Sequence, residues 1–286
     1  MAWFWEVWQH LPEHIDPVIF SVGGFRLQYY GLMYIVAFAA TYFLVMFRVK
    51  HEARFNLSKR HIQDLTTVMI FGLIIGARLG YVLFYNASYY FHHPLEIFLP
   101  FSFSNGIAFT GILGMSYHGG LIGVILASVW YLYRQRLDFW EICDLYIPAI
   151  PLGYTFGRIG NFINGELYGR ITDFQIGMYF PLAPGLARRH PSQLYEAIFE
   201  GISLFIILWC LRKRKWPSGI MLSLYLIGYG MFRFLIEFFR QPDAHLDFVF
   251  ISFSMGQILC SVMIMIGFSL GLFLWCREQK PAILTK

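Results

Sequence analysis

Apolar residues along this chain gather into seven long runs separated by polar connections. The runs cover 29–47, 65–85, 112–133, 142–163, 195–211, 219–239 and 251–276. None of them alternates polar and apolar residues, as Tyr29–Phe47 illustrates. A helix needs about 20 mostly apolar residues to cross the hydrocarbon core of a bilayer. Six runs meet that length within a residue, and the shorter 195–211 is expected to extend outward. Backbone in lipid must satisfy its own hydrogen bonds, so these runs are expected as helices, and the missing alternation disfavours a barrel. The pattern therefore predicts an all-α polytopic membrane protein with seven transmembrane helices.

Composition agrees. The 286 residues are 57% hydrophobic and 20% aromatic but only 14% charged, against about 25% charged in soluble domains. Mean hydropathy is +0.54. So much apolar surface excludes a disordered chain. Cys143, Cys210, Cys260 and Cys276 are too sparse for a secreted disulfide framework and lie in or beside apolar runs. The runs hold just seven charged side chains: Arg78, Asp144, Arg158, Glu196, Glu200, Arg233 and Glu237.

Lys and Arg set the orientation. Connections 48–64, 134–141, 212–218 and the tail 277–286 carry 14 Lys/Arg in 42 residues, whereas 1–28, 86–111, 164–194 and 240–250 carry five in 96. The first set is expected in the cytoplasm, with the N-terminus outside (periplasmic) and the C-terminus cytoplasmic. The net charge of +5 calls for no nucleic acid, because stretches such as Arg212-Lys213-Arg214-Lys215 suit anionic membrane lipids. The start of the chain does not read as a cleavable signal peptide: it lacks a basic region and carries Glu6, Glu13 and Asp16. Trp3, Trp5 and Trp8 suggest that 1–28 lies in the membrane interface, the alternative being a partly ordered tail. The connection 164–194 is long enough for a small external subdomain. With no repeat or internal boundary in view, 1–286 reads as a single integral-membrane domain.

Orientation gives depth to the polar residues. Tyr30 lies at the outer start of the first run, and Arg78, His118, Arg158, Asn161, Tyr229, Arg233 and Glu237 fall in the outer parts of theirs. At 1.5 Å per residue these groups lie within roughly 10–15 Å of the outer boundary. Asp144, at an inner end, is the exception. Charged groups in a span are costly and usually face the bundle interior. Tyr225, Tyr229, Arg233 and Glu237 recur every four residues with Arg240 three later, and Arg158 and Asn161 are spaced three apart. Two plainer readings compete: Arg233–Glu237 as a strut between helices, and Arg78 snorkelling to the headgroups. A lone histidine such as His118 is more often a packing residue, but Gly119-Gly120 leave room for a ligand beside it. Glycines spaced four apart (Gly72/Gly76/Gly80, Gly119/Gly123, Gly153/Gly157, Gly267/Gly271) fit close helix packing.

There is no HExxH, Walker A or GxSxG motif and no zinc spacing of cysteines, so neither a metal nor a cofactor is expected. Arginines in an outward polar cavity suit a phosphate headgroup. A nearby histidine suits proton abstraction around neutral pH. The residues thus favour an enzyme acting on a phospholipid at the outer face. A transporter would call for inverted repeats and mid-membrane helix breaks, and an intramembrane protease for serine, paired-aspartate or zinc motifs.

One stretch is more specific. Gly157-Arg158-Ile159-Gly160-Asn161-Phe162-Ile163-Asn164-Gly165-Glu166-Leu167-Tyr168-Gly169 closely resembles the signature of the bacterial prolipoprotein diacylglyceryl transferases. Similar motifs run in order from about residue 16 to 260: Tyr30-Gly31-Leu32-Met33-Tyr34, Met115-Ser116-Tyr117-His118-Gly119-Gly120, Arg189-His190-Pro191-Ser192-Gln193-Leu194-Tyr195-Glu196, and Gly228 through Arg233 to Glu237 and Arg240-Gln241-Pro242-Asp243. The resemblance implies a seven-helix bacterial inner-membrane enzyme with its active site toward the periplasmic face. Such an enzyme moves the diacylglyceryl group of phosphatidylglycerol to the lipobox cysteine of a preprolipoprotein signal peptide, leaving a thioether and glycerol phosphate. Two departures stand out. Gln28-Tyr29-Tyr30-Gly31 replaces the family's usual His-Trp-Tyr-Gly, and Ser104-Asn105-Gly106 through Gly114 is longer than the usual lead into the histidine motif.

On this resemblance, Arg158 and Arg233 hold the lipid phosphate and stabilise it as it leaves. Glu237 orients Arg233, while Asn161 and Glu166 position the headgroup glycerol or Arg158. Tyr30 and Tyr229 add hydroxyl hydrogen bonds, and Gly169 lets the outer loop turn tightly. Arg78, His190 and Arg240 complete the substrate-binding set. His118 is the candidate base for the thiol, whose ordinary pKa is about 8.5; the alternative is that arginines alone lower the thiol pKa and His118 is structural.

Overall fold

Helices account for most of the chain, and their ends follow local chemistry. The computed structural model describes residues 2–22, 25–99, 101–102, 108–109, 114–241 and 253–279. Within these, α1 is Ala2–His10, α2 Tyr29–His51, α3 Lys59–Tyr85, α4 Ala87–His92, α5 Tyr117–Gln135, α6 Phe139–Tyr146 and α7 Ile150–Ile163. They are followed by α8 over Ser192–Leu211, α9 over Ile220–Ile236 and α10 over Met255–Gln279. Among the described residues strands are confined to two short pairs, β1 (Val18–Val22) with β2 (Phe25–Gln28) and β3 (Phe101–Ser102) with β4 (Ala108–Phe109). Among the described residues four helices, α2, α3, α8 and α10, are long and apolar enough to cross a membrane, and α9 is a shorter apolar helix.

Three run boundaries move, each for a readable reason. The run expected from 112 is helical only from Tyr117, because Ser116 caps it: its hydroxyl accepts the Gly119 N–H at 3.2 Å. The run 142–163 is broken into α6 and α7 by a 3-10 turn at Ile147–Ala149, where Pro148 and Pro151 remove two backbone donors. The helix over 195–211 begins earlier, at Ser192, which supplies the extra length its shortness called for. The long connection 104–114 lies outside the described residues save for Ala108, Phe109 and Gly114, as do Pro242, Asp243 and the first two residues of the run 251–276.

The described residues fall into two compact units. One draws on Met1–Ser21, Arg26–Arg48 and Trp140–Lys286, the other on Val22–Phe25 and Val49–Phe139. In the second unit α3 and α5 meet backbone to backbone. A Cβ added at Gly76 would lie 2.7 Å from Gly123 Cα, and one at Gly80 2.6 Å from Gly119 Cα. The spaced glycines here do bring two helices into close approach, and the Ser116 N–H donates across to the Ala77 carbonyl at 2.8 Å.

In the first unit, Gly153 seats α7 against Thr41 and Ala37 of α2, and Gly267 and Gly271 seat α10 against α9. Ser223 of α9 donates to the Gly267 carbonyl at 2.7 Å. Gly157 has nothing within 4 Å of its added Cβ, so close packing does not explain that glycine. Asp144 caps the start of α9: its carboxylate accepts the N–H groups of Gly219 (2.9 Å) and Met221 (3.1 Å). Fully buried Arg48 donates to the Asp144 and Leu145 carbonyls at 2.6 and 2.5 Å. The charge at that helix end is thus architectural.

The connection 164–191 forms a small packed body. Its Met178 and Phe180 are buried together with Phe162 of α7, with Trp8, Ile15 and Tyr168 packed on them. Helix α1 is fastened to it: Trp8 Nε1 donates to the Ile176 carbonyl, Gln9 Nε2 to the Gln175 carbonyl, and the Tyr179 N–H to the Gln9 carbonyl. The N-terminal residues are therefore ordered against the chain, and Trp3 and Phe4 remain exposed.

Candidate active site

Three helices of the first unit, α7, α8 and α9, converge their charged side chains. At the end of α7, Arg158 donates through Nη1 to Asn161 Oδ1 at 3.2 Å, and Asn161 Nδ2 donates to Glu166 Oε1 at 2.8 Å. The chain reverses between these residues. Gly165 (φ 66°) and Leu167 (φ 58°) take left-handed conformations, and the Glu166 N–H returns to the Asn161 carbonyl. Gln193 Nε2 then donates to the Glu166 carbonyl at 2.6 Å, tying this turn to the start of α8.

Glu196, on α8 and fully buried, is the hub. Arg158 Nε lies 2.8 Å from its Oε2, Arg233 Nη1 3.1 Å from its Oε1, and Arg240 Nε 4.0 Å from that same oxygen. Arg233 also pairs with Glu200 at 3.6 Å and with Glu237, four residues on, at 3.3 Å. Ser254 donates its hydroxyl to Glu237 at 3.2 Å. Unpaired charges in a low-dielectric interior cost several kcal/mol each, so reciprocal pairing is what lets the three arginines and three glutamates sit together. Immediately after Glu196, α8 widens into a π-turn over Ala197–Ser203. Such turns are rare inside helices and frequent at functional sites. Gly201 in that turn is pressed on Thr155 of α7.

The remaining expected residues divide. Tyr30 lies beside α7, its ring edge 3.0 Å from where a Gly160 Cβ would stand, and its hydroxyl is 3.1 Å from that of Tyr34. Tyr229 meets the Tyr154 ring edge-on at 5.8 Å. Arg240 has its carbonyl held by Arg170 Nε at 2.9 Å. His190 is buried among Tyr195, Phe239 and Phe174, and its Nδ1 is 3.1 Å from the Tyr195 hydroxyl. Burial pushes its imidazole pKa below the ordinary histidine value.

Gly169 does not make the tight turn expected of it; that falls to Gly165 and Leu167. What it provides is closeness. An added Cβ would run into the Phe239 carbonyl and come within 2.8 Å of His190. The Gly169 N–H donates to the His190 carbonyl at 2.8 Å, and the next N–H donates to Phe239.

Arg78 and His118 belong to the second unit. Arg78 is only 4% exposed, so it does not snorkel. Its guanidinium donates to the carbonyls of Ile97 (2.5 Å), Glu96 (2.6 Å) and Gly114 (3.3 Å) and faces the Tyr90 ring. That occupation is a bracket for the segment after α4. His118 is exposed, the second residue of α5, with its ring 5.7 Å from that of Tyr117.

Glu196, Glu200, Tyr154 and Gln193 were given no role from the sequence, although Gln193 and Glu196 lie in one of the matching motifs. The signal was present, since two glutamates four apart in an apolar run cannot stand unpaired, but their partners sit on other helices. Among the described residues no group of three or more His, Cys, Asp or Glu side chains is arranged to hold a metal ion. Chemically, a set of half-buried, forked arginines braced by buried carboxylates can receive a phosphate oxygen and neutralise charge that develops on it.

The sequence has close relatives. The family model for prolipoprotein diacylglyceryl transferase matches residues 17–275. The phosphatidylglycerol–prolipoprotein diacylglyceryl transferase of Chlorobaculum tepidum is 54% identical over 274 residues, 95% of this chain and 93% of that protein. Those of Desulfotalea psychrophila and Geobacter sulfurreducens are 46% and 45% identical, over 93% and 94% of this chain and 95% and 98% of theirs.

Proposed function

The chain belongs to the prolipoprotein diacylglyceryl transferase family, and from that premise we propose how its residues move diacylglyceryl from phosphatidylglycerol to prolipoprotein. The acceptor is the lipobox cysteine thiol of the preprolipoprotein signal peptide. Its sulfur forms a bond to the terminal glyceryl carbon of the diacylglyceryl group. The bond from that carbon to the phosphate oxygen breaks, and glycerol phosphate leaves with the electron pair. The thiol proton passes to a base. The products are a thioether and free glycerol phosphate.

The observation that carries this reading is the convergence of Arg158, Arg233 and Arg240 on Glu196. Arg158 and Arg233 grip the headgroup phosphate, and their main contribution is to stabilise charge on it as it departs. Glu237 orients Arg233, and the Arg158–Asn161–Glu166 chain orients Arg158. Tyr30 and Tyr229 supply hydroxyls to the substrate. Arg240 extends the cationic side of the site, and Gly169 with His190 holds the connection 164–194 closed against Arg240. Arg78 acts indirectly, by fixing the segment after α4. His118, exposed at the start of a capped helix, takes the thiol proton.

The enzyme works in the bacterial inner membrane among its lipids. Seven spans cross it, the long helices α2, α3, α8 and α10 joined by α5, the broken pair α6–α7 and α9. The N-terminus and the arginine site face the periplasm, α1 rests in the interface, and 164–194 is an external subdomain of a single membrane domain. The Lys/Arg distribution supports this orientation.

Arg158→Lys tests the grip. It keeps the charge but loses the fork, so kcat/KM with phosphatidylglycerol and a lipobox peptide should fall on the order of 10- to 100-fold, a loss of about 1.4–2.7 kcal/mol in transition-state stabilisation. Full activity would sink the bidentate reading.

A further inference from the structure

A second layer stands behind the two arginines. Tyr154, one turn before Arg158 on α7, places its ring under the Arg158 guanidinium, 4.7 Å from Cζ to centroid. Its hydroxyl donates to Glu200 Oε2 and lies 3.3 Å from Glu196 Oε2. The other Glu200 oxygen faces Arg233 Nη1 at 3.6 Å. One phenol therefore touches the first arginine with its face and, through a fully buried carboxylate, reaches the second. Neither Tyr154 nor Glu200 belongs to the residues that grip or receive substrate in the reading above.

We propose that Tyr154 and Glu200 are positioning residues that fix the separation and orientation of Arg158 and Arg233 for the departing phosphate. Glu196 bridges the two arginines, and Arg233 is held at Nη1 by Glu196 and at Nη2 by Glu237. Glu200 adds a third carboxylate beside Nη1, at ion-pair rather than hydrogen-bond distance, and its other oxygen accepts from Tyr154. Glu196 and Glu200 are four apart and so present both carboxylates to the same guanidinium, with the π-turn beginning between them. Because substrate-positioning errors of about 1 Å cost on the order of 100-fold in rate, such bracing matters more for turnover than for binding.

The proposal rests on the reading that Arg158 and Arg233 handle the phosphate, so the experiment carries both. Purified full-length protein is assayed with phosphatidylglycerol and a lipobox peptide as parent, Tyr154→Phe, Glu200→Gln, the double variant, and Arg158→Lys. Tyr154→Phe keeps the ring under Arg158 and removes only the hydroxyl. Each single substitution should lower kcat on the order of 10-fold or more with peptide KM unchanged, and the double should be no worse than the lower single, as for residues acting in one chain. Multiplying losses, or parental kcat in either single while Arg158→Lys is impaired, would overturn the positioning role alone. Parental activity of Arg158→Lys would instead overturn the phosphate reading beneath it. Should Glu200→Gln fail to fold, Tyr154→Phe decides by itself: parental kcat contradicts the proposal, and a drop in kcat without a change in peptide KM supports it.

Discussion

Replacing Glu196 by Gln removes one charge and little volume from the centre of the site, and its consequences can be estimated from the contacts. Glu196 is fully buried and pairs with Arg158 at 2.8 Å and Arg233 at 3.1 Å. Arg233 would keep Glu200 and Glu237. Arg158 would keep only the neutral Asn161 and the Tyr154 ring. The cost is therefore mainly that of one half-buried guanidinium left without a counter-charge, and breaking a fully buried pair typically destabilises by about 3–5 kcal/mol. Glutamine can still accept a hydrogen bond, so the lower end, about 3 kcal/mol, is expected. If half of that reaches the transition state through a displaced Arg158, turnover falls about tenfold, at about 1.4 kcal/mol per decade. The assay pairs thermal unfolding of the purified protein in detergent with kcat for transfer to a lipobox peptide. Glu196→Gln combined with Arg158→Gln should recover stability, because the uncompensated charge is gone, while activity stays low. A single variant with the parental unfolding midpoint and parental kcat would refute the reasoning that this carboxylate holds the arginines.

Further outcomes follow from the same structure. His118→Gln should lower activity and abolish the limb of the pH–rate profile that reports the base; near-parental turnover with an unchanged profile removes His118 from proton transfer. Gly169→Ala should destabilise by about 1–3 kcal/mol, since its Cβ meets backbone at Phe239 and His190 that cannot move aside cheaply; limited proteolysis within 170–189 reads the loosening. His190 has its pKa lowered by burial, so the folded state binds its proton less readily than the unfolded chain. Its contribution to stability is present above the unfolded value of about 6.5 and is lost as pH falls below it; unfolding midpoints measured from pH 8 to 5 should fall less in His190→Gln than in the parent. Asp144→Ala should cost about 1–2 kcal/mol by uncapping α9, without changing peptide KM.

How much of this was legible in the chain depends on whether the information is local. The helices were, because lipid forces backbone hydrogen bonds inward and apolar runs betray it. Close helix packing was legible too in the four-residue spacing of Gly72, Gly76, Gly80, Gly119 and Gly123, though not which helices would meet. Arg158 with Asn161 and Arg233 with Glu237 were visible as neighbours on single helices. The role of Glu196 was not, because an ion pair between helices leaves no spacing in one dimension. Gly169 misled for a similar reason: turn and close approach both select glycine, and only φ and the neighbour's position tell them apart. Pro148 and Pro151 did announce the break between α6 and α7, but the unbroken apolar run around them outweighed the missing donors.

The central claim is that the carbon–oxygen bond of the lipid, not a phosphorus–oxygen bond, is broken and that sulfur receives the glyceryl carbon. Intact-mass spectrometry of a lipobox peptide, incubated with the purified enzyme and phosphatidylglycerol, tests it most directly. The cysteine should gain one diacylglyceryl group, stable to alkaline thioester cleavage, with glycerol phosphate released in equal amount. A peptide that gains a phosphatidyl group, or none from a folded and lipid-bound preparation, would contradict it.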